Sequence, residues 1–204
     1  MMRVSVRYAT QPALATAKNS PFFPPISPKL GLKLTSMKHK QHVVYLALGT
    51  NLGDRLENLR QARQALPPAV EIEAASSVYE TPPWGVLDQP PFYNQVVRAV
   101  TDLSPHDLLT YLKQIEQRLG RTETVRNGPR PIDLDILFYD DLELETPQLS
   151  IPHPRMEGRA FVWLPLAEIA PHLIYPKLGK TAQQIATELD CSGIHLTLEQ
   201  ESER

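Results

Sequence analysis

At 204 residues with a formal net charge of −2, the chain is long enough for one ordinary domain plus a tail and can bury most of its apolar surface without covalent staples. The single cysteine, Cys191, excludes an intrachain disulfide framework and any multi-cysteine metal site, and it fits a reducing compartment such as the cytoplasm. No run approaches the ~18 consecutive apolar residues that cross a bilayer, so no membrane partner is expected.

No Asp or Glu precedes Asp54, while Arg3, Arg7, Lys18, Lys29, Lys33, Lys38 and Lys40 lie in the first forty residues. This stretch has no sustained periodicity and crowds Pro21, Pro24, Pro25 and Pro28 together, so residues 1–40 read as a disordered, basic, Pro-containing N-terminal extension. Its composition also resembles an organelle transit peptide, which would imply import. Met37, just before the first strand, offers an alternative start. Residues 41–204 carry all 23 acids against the other 14 of the 21 bases, so this part is acidic and no nucleic-acid footprint is expected.

Order begins at "HVVYLALGTNLGD", where the apolar run Val43–Leu48 ends at Gly49 and Gly53, the pattern of a buried strand entering a loop. Asp54 and Glu57 make a capping-box-like start, and Leu56, Leu59 and Leu66 continue a helix to Pro67-Pro68. "VEIEAASSVYE" alternates as one strand. A Pro-rich loop, "TPPWGVLDQPPFYN", leads to the strand "QVVRAVTD". Ser104 as N-cap and Pro105 at the first position open a second helix, with Leu108, Leu109, Leu112, Ile115 and Leu119 on one face and Gly120 closing it. A loop over 121–131 precedes the strand "IDLDILFYD", and two further helices are expected from "RMEGRAFVWLPLAEI" and "TAQQIATELD". This order predicts an α+β fold: a ferredoxin-like βαββαβ core, its antiparallel sheet carrying helices on one face, with extra C-terminal helices and the other face free.

In "IDLDILFYD", Ile132, Leu134, Ile136 and Phe138 alternate with Asp133, Asp135 and Leu137, so the two aspartates share a face. Solvated acids on a strand explain this, and so does a site for one or two hard cations. Arg121, Arg126 and Arg130 precede the pair, while His153, Arg155 and Arg159 follow it. Guanidinium groups match phosphate oxygens in bidentate geometry, and carboxylates with arginines are the two parts of a phosphoryl-transfer site. Surface ion pairing is the competing account. In the Pro-rich loop, Pro82, Pro83, Pro90 and Pro91 restrict the backbone, with Trp84, Phe92 and Tyr93 offering stacking faces and Asn94 a matched donor and acceptor. A flat heterocycle suits such a loop, and so does a purely structural role. No P-loop, G-x-G-x-x-G or G-x-S-x-G motif occurs, and no covalent nucleophile stands out.

"LALGTNLGDR", "SSVYETPPWG", "DQPPFYNQVV", "IEQRLGR", "GPRPIDLDIL" and "IPHPRMEGRAFVWLPLAEIAP" occur in this order and resemble the successive signatures of the 6-hydroxymethyl-7,8-dihydropterin pyrophosphokinases of folate biosynthesis. The resemblance implies a single pyrophosphokinase domain over 41–204 that moves the β,γ-diphosphate of ATP to the pterin hydroxymethyl group and releases AMP. It implies that Asp133 and Asp135 hold two Mg²⁺ ions, with ATP as co-substrate and the reduced pterin alcohol as acceptor. Arg121, Arg130 and Asp135 would be catalytic, and Glu116, Arg121, Arg126, Arg130, His153 and Arg159 would face ATP. Thr81, Pro82, Trp84, Phe92, Asn94 and Phe161 would form the pterin pocket, with Phe92 and Phe161 sandwiching the ring. A monomer without nucleic-acid partners is expected. The chain departs from the family pattern where Asn127 replaces a Trp in a loop one residue shorter, and where Pro154 replaces an aromatic. Two other classes fit less of the sequence: a ferredoxin-like nucleic-acid-binding module, and a non-catalytic pterin- or ATP-binding homologue.

Overall fold

A computed structural model describes residues 41–83, 85–122 and 128–197. The expectations for the N-terminal extension, Trp84, Arg126 and Asn127 lie outside these residues. β1 (His42–Thr50) is the apolar run, and α1 (Arg55–Ala65) starts at Asp54, whose side chain accepts from the Glu57 amide at 3.0 Å. The Glu57 carboxylate turns to Arg60 and Gln61 instead of back to the cap. The stretch expected as one strand is two, β2 (Val70–Ala75) and β3 (Val78–Thr81). The break falls at Ser76 and Ser77, whose hydroxyls compete for the backbone. Ser76 Oγ accepts from the Val96 amide at 3.0 Å, and Ser77 donates from both N and Oγ to Glu168. Both halves pair with the long β4 (Phe92–Thr101).

α2 (Pro105–Arg118) has the expected Ser104 cap and N-terminal proline, and Gly120 takes φ +88° just beyond it, the left-handed conformation that glycine adopts most readily. β5 (Asp133–Tyr139) follows, then the hairpin β6 (Leu144–Glu145) and β7 (Ser150–Ile151), and a 3₁₀ turn at Pro154–Met156. α3 (Ala160–Ile169), the hairpin β8 (Ile174–Tyr175) and β9 (Lys180–Thr181), α4 (Ala182–Glu188) and β10 (His195–Thr197) complete the described chain. The main sheet runs β10-β3-β4-β1-β5 with β2 beside β4, and every pairing is antiparallel.

One sheet face buries Val44, Leu46, Leu48, Leu134 and Ile136 against Leu59 and Leu66 near α1 and Leu108, Leu112 and Ile115 of α2. Each fully buried side chain of this kind contributes about 1.5–3 kcal/mol. The other face is not free, contrary to the expectation. Val96, Leu137 and Phe138 pack there with Val162, Trp163 and Leu166 of α3 and with Ala182, Ile185 and Ala186 of α4. "AFVWLPLAEI" is apolar almost all round, so it has to be covered on more than one side. Phe138 joins this second face because the β1–β5 register slips between Tyr45 and Leu46: Tyr45 opposes Phe138 and Leu46 opposes Ile136, which leaves Leu137 extra. Such a bulge resets the two-residue alternation.

Candidate functional site

The second face is open at one end, and side-chain size explains why. Along β1 the residues on that side shrink from Tyr45 to Ala47 to Gly49, hollowing the sheet floor. Across the floor, Asn94, Gly49 and Asp133 form one row, and Val96, Ala47 and Asp135 the next. Asn94 and Asp133 are thus two strand spacings apart, about 10 Å. A Cβ on Gly49 would meet Asn94 Oδ1 at 3.2 Å, so glycine admits the amide.

Thr81, Pro82, Phe92, Asn94 and Phe161 line the cleft together with Arg130, Asp133, Asp135, His153 and Arg159. Thr81 Oγ1 accepts from Asn94 Nδ2 at 2.8 Å. The guanidinium of Arg130 lies 5.0 Å from the Phe92 ring centre and that of Arg159 lies 5.5 Å from Phe161, so each aromatic wall is joined to a cation.

Asp133 accepts an ion pair from Arg130 Nη2 at 2.8 Å on Oδ2 and a second from Arg121 on Oδ1. Burial alone would raise its pKa, but Arg130, Arg121 and Lys113 outweigh that and hold the carboxyl below the usual range. The Asp135 carboxylate is 38% exposed, with Lys113 Nζ at 4.0 Å. Arg130 Nη1 donates to the Gly128 carbonyl, while its buried Nε has no acceptor among the described residues. His153 Nδ1 accepts from the Arg155 amide at 3.2 Å, so the neutral ring carries its proton on Nε2. Burial first, then Arg159 and Arg155, push its pKa down against the pull of Asp135. The turn that carries His153, Arg155 and Arg159 is pinned by Trp163 Nε1 donating to the Met156 carbonyl at 2.8 Å and by Tyr175 OH donating to Glu157 at 2.8 Å.

Two expected residues lie elsewhere. Glu116 is 2% exposed and does not line the cleft; its Oε1 meets Lys113 Nζ, Arg121 Nη1 and the Leu134 amide. Arg121 is likewise not among the lining residues, but it is 30% exposed and reaches the cleft's Asp133 from the Glu116 side. Sequence reasoning missed Asn51. This residue is 1% exposed, accepts from the Arg130 amide at 2.8 Å and donates to Gln89 Oε1 and the Pro90 carbonyl at 3.0 and 3.1 Å. One side chain thereby ties the Pro-rich loop to the segment that carries Arg130. Arg55 holds the same loop, donating to the Pro91 carbonyl at 2.9 Å while its guanidinium lies 3.7 Å from the Tyr93 ring centre. Spacing gives no sign of either contact.

Together the fold and cleft define an α+β protein with a cleft that brings aromatic and amide side chains together with arginines and carboxylates. The chain belongs to the 7,8-dihydro-6-hydroxymethylpterin-pyrophosphokinase (HPPK) family, whose model matches residues 45–171. It is 51% identical over 130 residues to the 2-amino-4-hydroxy-6-hydroxymethyldihydropteridine pyrophosphokinase of Bacillus subtilis, covering 63% of this chain and 78% of that one. It is 48% identical over 127 residues to "Folate synthesis bifunctional protein, mitochondrial" of Pisum sativum, covering 62% of this chain and 25% of the pea protein. The wild-type Plasmodium falciparum HPPK-DHPS crystal structure with STZ-DHP shares the fold, with a TM-score of 0.57 and 19% identity over 73% of this chain and 41% of that one. The chain therefore spans most of some relatives and about a quarter of the pea protein. Among the described residues no helix is long and apolar enough to cross a membrane.

Proposed function

We propose that this chain transfers the β,γ-diphosphate of ATP to the hydroxymethyl group of 6-hydroxymethyl-7,8-dihydropterin, giving the pterin diphosphate and AMP. The observation that supports this reading is the shared cleft: residues expected to contact the pterin and residues expected to contact phosphate line one hollow. The pterin stacks between Phe92 and Phe161, and Asn94 reads its edge, with Thr81 and Pro82 beside it; Trp84 adds its backbone. Arg130, His153 and Arg159 take phosphate oxygens, and the unsatisfied buried Nε of Arg130 is a donor suited to that anion. Arg126, outside the described residues, is taken as a further phosphate contact on the resemblance alone.

The hydroxyl oxygen forms a bond to the β-phosphorus while the bond from that phosphorus to the α,β-bridging oxygen breaks and AMP departs. Asp135, the more exposed carboxylate, receives the hydroxyl proton, and Arg121 and Arg130 neutralise charge on the bridging oxygen. Asp133 and Asp135 also fit Mg²⁺, for which the resemblance implies two ions: they are hard oxygen donors, and Mg²⁺ prefers a few carboxylates plus phosphates and water. Bound there, Mg²⁺ would neutralise the triphosphate and acidify the hydroxyl.

The strand order and pairing support reading the core as ferredoxin-like. We also take residues 41–204 as one catalytic domain, monomeric and cytoplasmic unless residues 1–40 direct import, as the name of the pea relative would favour. Incubating the protein with ATP, Mg²⁺ and the reduced pterin alcohol yields AMP and pterin diphosphate in equal amounts. ADP without AMP refutes diphosphoryl transfer.

A further inference from the structure

β5 is an edge strand of the main sheet, paired with β1 alone. Along an edge, alternate residues turn both N–H and C=O away from the partner strand, where they need acceptors and donors of their own. At Leu134, between the two aspartates, α2 supplies both. Glu116 Oε1 accepts from the Leu134 amide at 2.7 Å, and Lys113 Nζ donates to the Leu134 carbonyl at 3.2 Å. These side chains stand one helical turn apart and pair with each other at 2.8 Å. The same Glu116 oxygen takes Arg121 Nη1 at 2.6 Å, and Arg121 continues to Asp133; Lys113 reaches to 4.0 Å from Asp135.

We propose that Lys113 and Glu116 form a clamp on the Leu134 peptide that fixes the pitch of Asp133 and Asp135, so that Glu116 is a positioning residue rather than an ATP ligand. The inference rests on the diphosphokinase reading above. Three facts carry it. Glu116 is 2% exposed and is not among the residues that line the cleft. Its carboxylate accepts from the amide of Leu134, the one residue between the two aspartates. And a buried carboxylate, even one paired with Lys113 and Arg121, is a costly way to hold a helix on a strand, where a leucine would pack as well. What leucine cannot do is accept the Leu134 N–H, and an edge strand with that group loose is free to twist. Groups that orient ligating carboxylates from behind typically matter about 10–100-fold to metal affinity.

Amide hydrogen exchange tests the clamp without any variant: in the wild-type protein the Leu134 amide exchanges at the slow rate of the sheet core. Exchange at the rate of an exposed edge amide would overturn the proposal. Glu116→Leu should speed Leu134 exchange by about 100-fold and weaken binding of Mg²⁺ with α,β-methylene-ATP by about 10-fold, with pterin-alcohol affinity held within about 2-fold. The analogue is inert because the bond that breaks is replaced. Glu116→Gln, which keeps a carbonyl acceptor, should restore most of the Leu134 protection and part of the nucleotide affinity. If both ligands weaken together in Glu116→Leu, or if Glu116→Gln behaves as Glu116→Leu does, the clamp is wrong. If wild-type protein fails to bind the Mg²⁺ nucleotide at all, the diphosphokinase reading falls, and the exchange rate at Leu134 still judges the clamp.

Discussion

Asn51→Ala removes a side chain that makes three hydrogen bonds and spans two loops. Its loss leaves the Arg130 amide without its acceptor and the Pro90 carbonyl and Gln89 Oε1 without their donor. A neutral hydrogen bond contributes about 0.5–1.5 kcal/mol net, and a group left buried without a partner costs about 1–3 kcal/mol. Asn51 is 1% exposed, but Pro90 is exposed and Gln89 half-buried, so water can replace part of the lost bonding and a loss of about 1–3 kcal/mol is expected. In urea, with a slope of about 1–3 kcal/mol/M, the unfolding midpoint falls by up to roughly 1–3 M. Catalysis changes too, because Arg130 and the Pro-rich loop both lose their tether: KM should rise for ATP and for the pterin together. Asn51→Asp keeps the acceptor for the Arg130 amide but sets a carboxylate against two oxygens, so it should be less stable at pH 8 than at pH 5 relative to wild type. A midpoint unchanged in Asn51→Ala, or a KM effect confined to one substrate, would show that Asn51 does not join the two halves.

Asp133→Asn removes the carboxylate that pairs with Arg121 and Arg130 and should lower kcat/KM by about 100-fold or more, read as AMP release under saturating Mg²⁺. Trp163→Phe keeps the buried ring but drops the bond to the Met156 carbonyl; about 1 kcal/mol of stability goes, and KM for ATP should rise more than KM for the pterin, since the turn bearing His153 and Arg159 loosens. His153 is held neutral by burial, so its folded pKa lies below the unfolded value of ~6.5. As pH falls through that window the unfolded chain takes up a proton that the folded chain refuses, and stability is lost. His153→Gln should therefore lose less stability than wild type between pH 7 and pH 5 by chemical denaturation; equal losses would remove His153 from the account. Gly49→Ala places a methyl 3.2 Å from Asn94 Oδ1 and should raise KM for the pterin with little effect on KM for ATP.

Periodicity and caps carried much of the fold. Ser104-Pro105 and the leucine face of α2 are local signals, and local interactions produced them. The errors came where distant partners decide. Ser76 and Ser77 look neutral in "VEIEAASSVYE", yet Val96 and Glu168 draw them out of the ladder. Leu137 gives no warning of a bulge, because the slip belongs to the pairing with β1. The aspartates and arginines were visible as a chemical pattern. Asn51 was not, since its three partners lie 38 to 79 residues away. Glu116 was visible but its burial was not: sequence position near Arg121 does not tell an exposed carboxylate from one that is 2% exposed against the Leu134 amide.

On the proposed reading, the charge pattern of the cleft explains how a phosphate site can persist before any phosphate arrives. Arg121, Arg130, Arg155 and Arg159 crowd one region, and like charges held close in a partly buried site repel one another strongly. Asp133 relieves this by pairing with Arg121 and Arg130, while Glu116 takes a second contact from Arg121. His153, beside Arg155 and Arg159, stays uncharged, which avoids adding another cation. The guanidinium groups of Arg121 and Arg130 are therefore held and neutralised by the protein itself, and on the proposed reading a polyanion entering the cleft exchanges partners with groups already in place. Little reorganisation is then needed as charge develops on the departing oxygen, which is the condition under which fixed charges stabilise a transition state most. The clamp at Leu134 belongs to the same logic: arginines can hold their aim only if the strand beneath Asp133 does not turn.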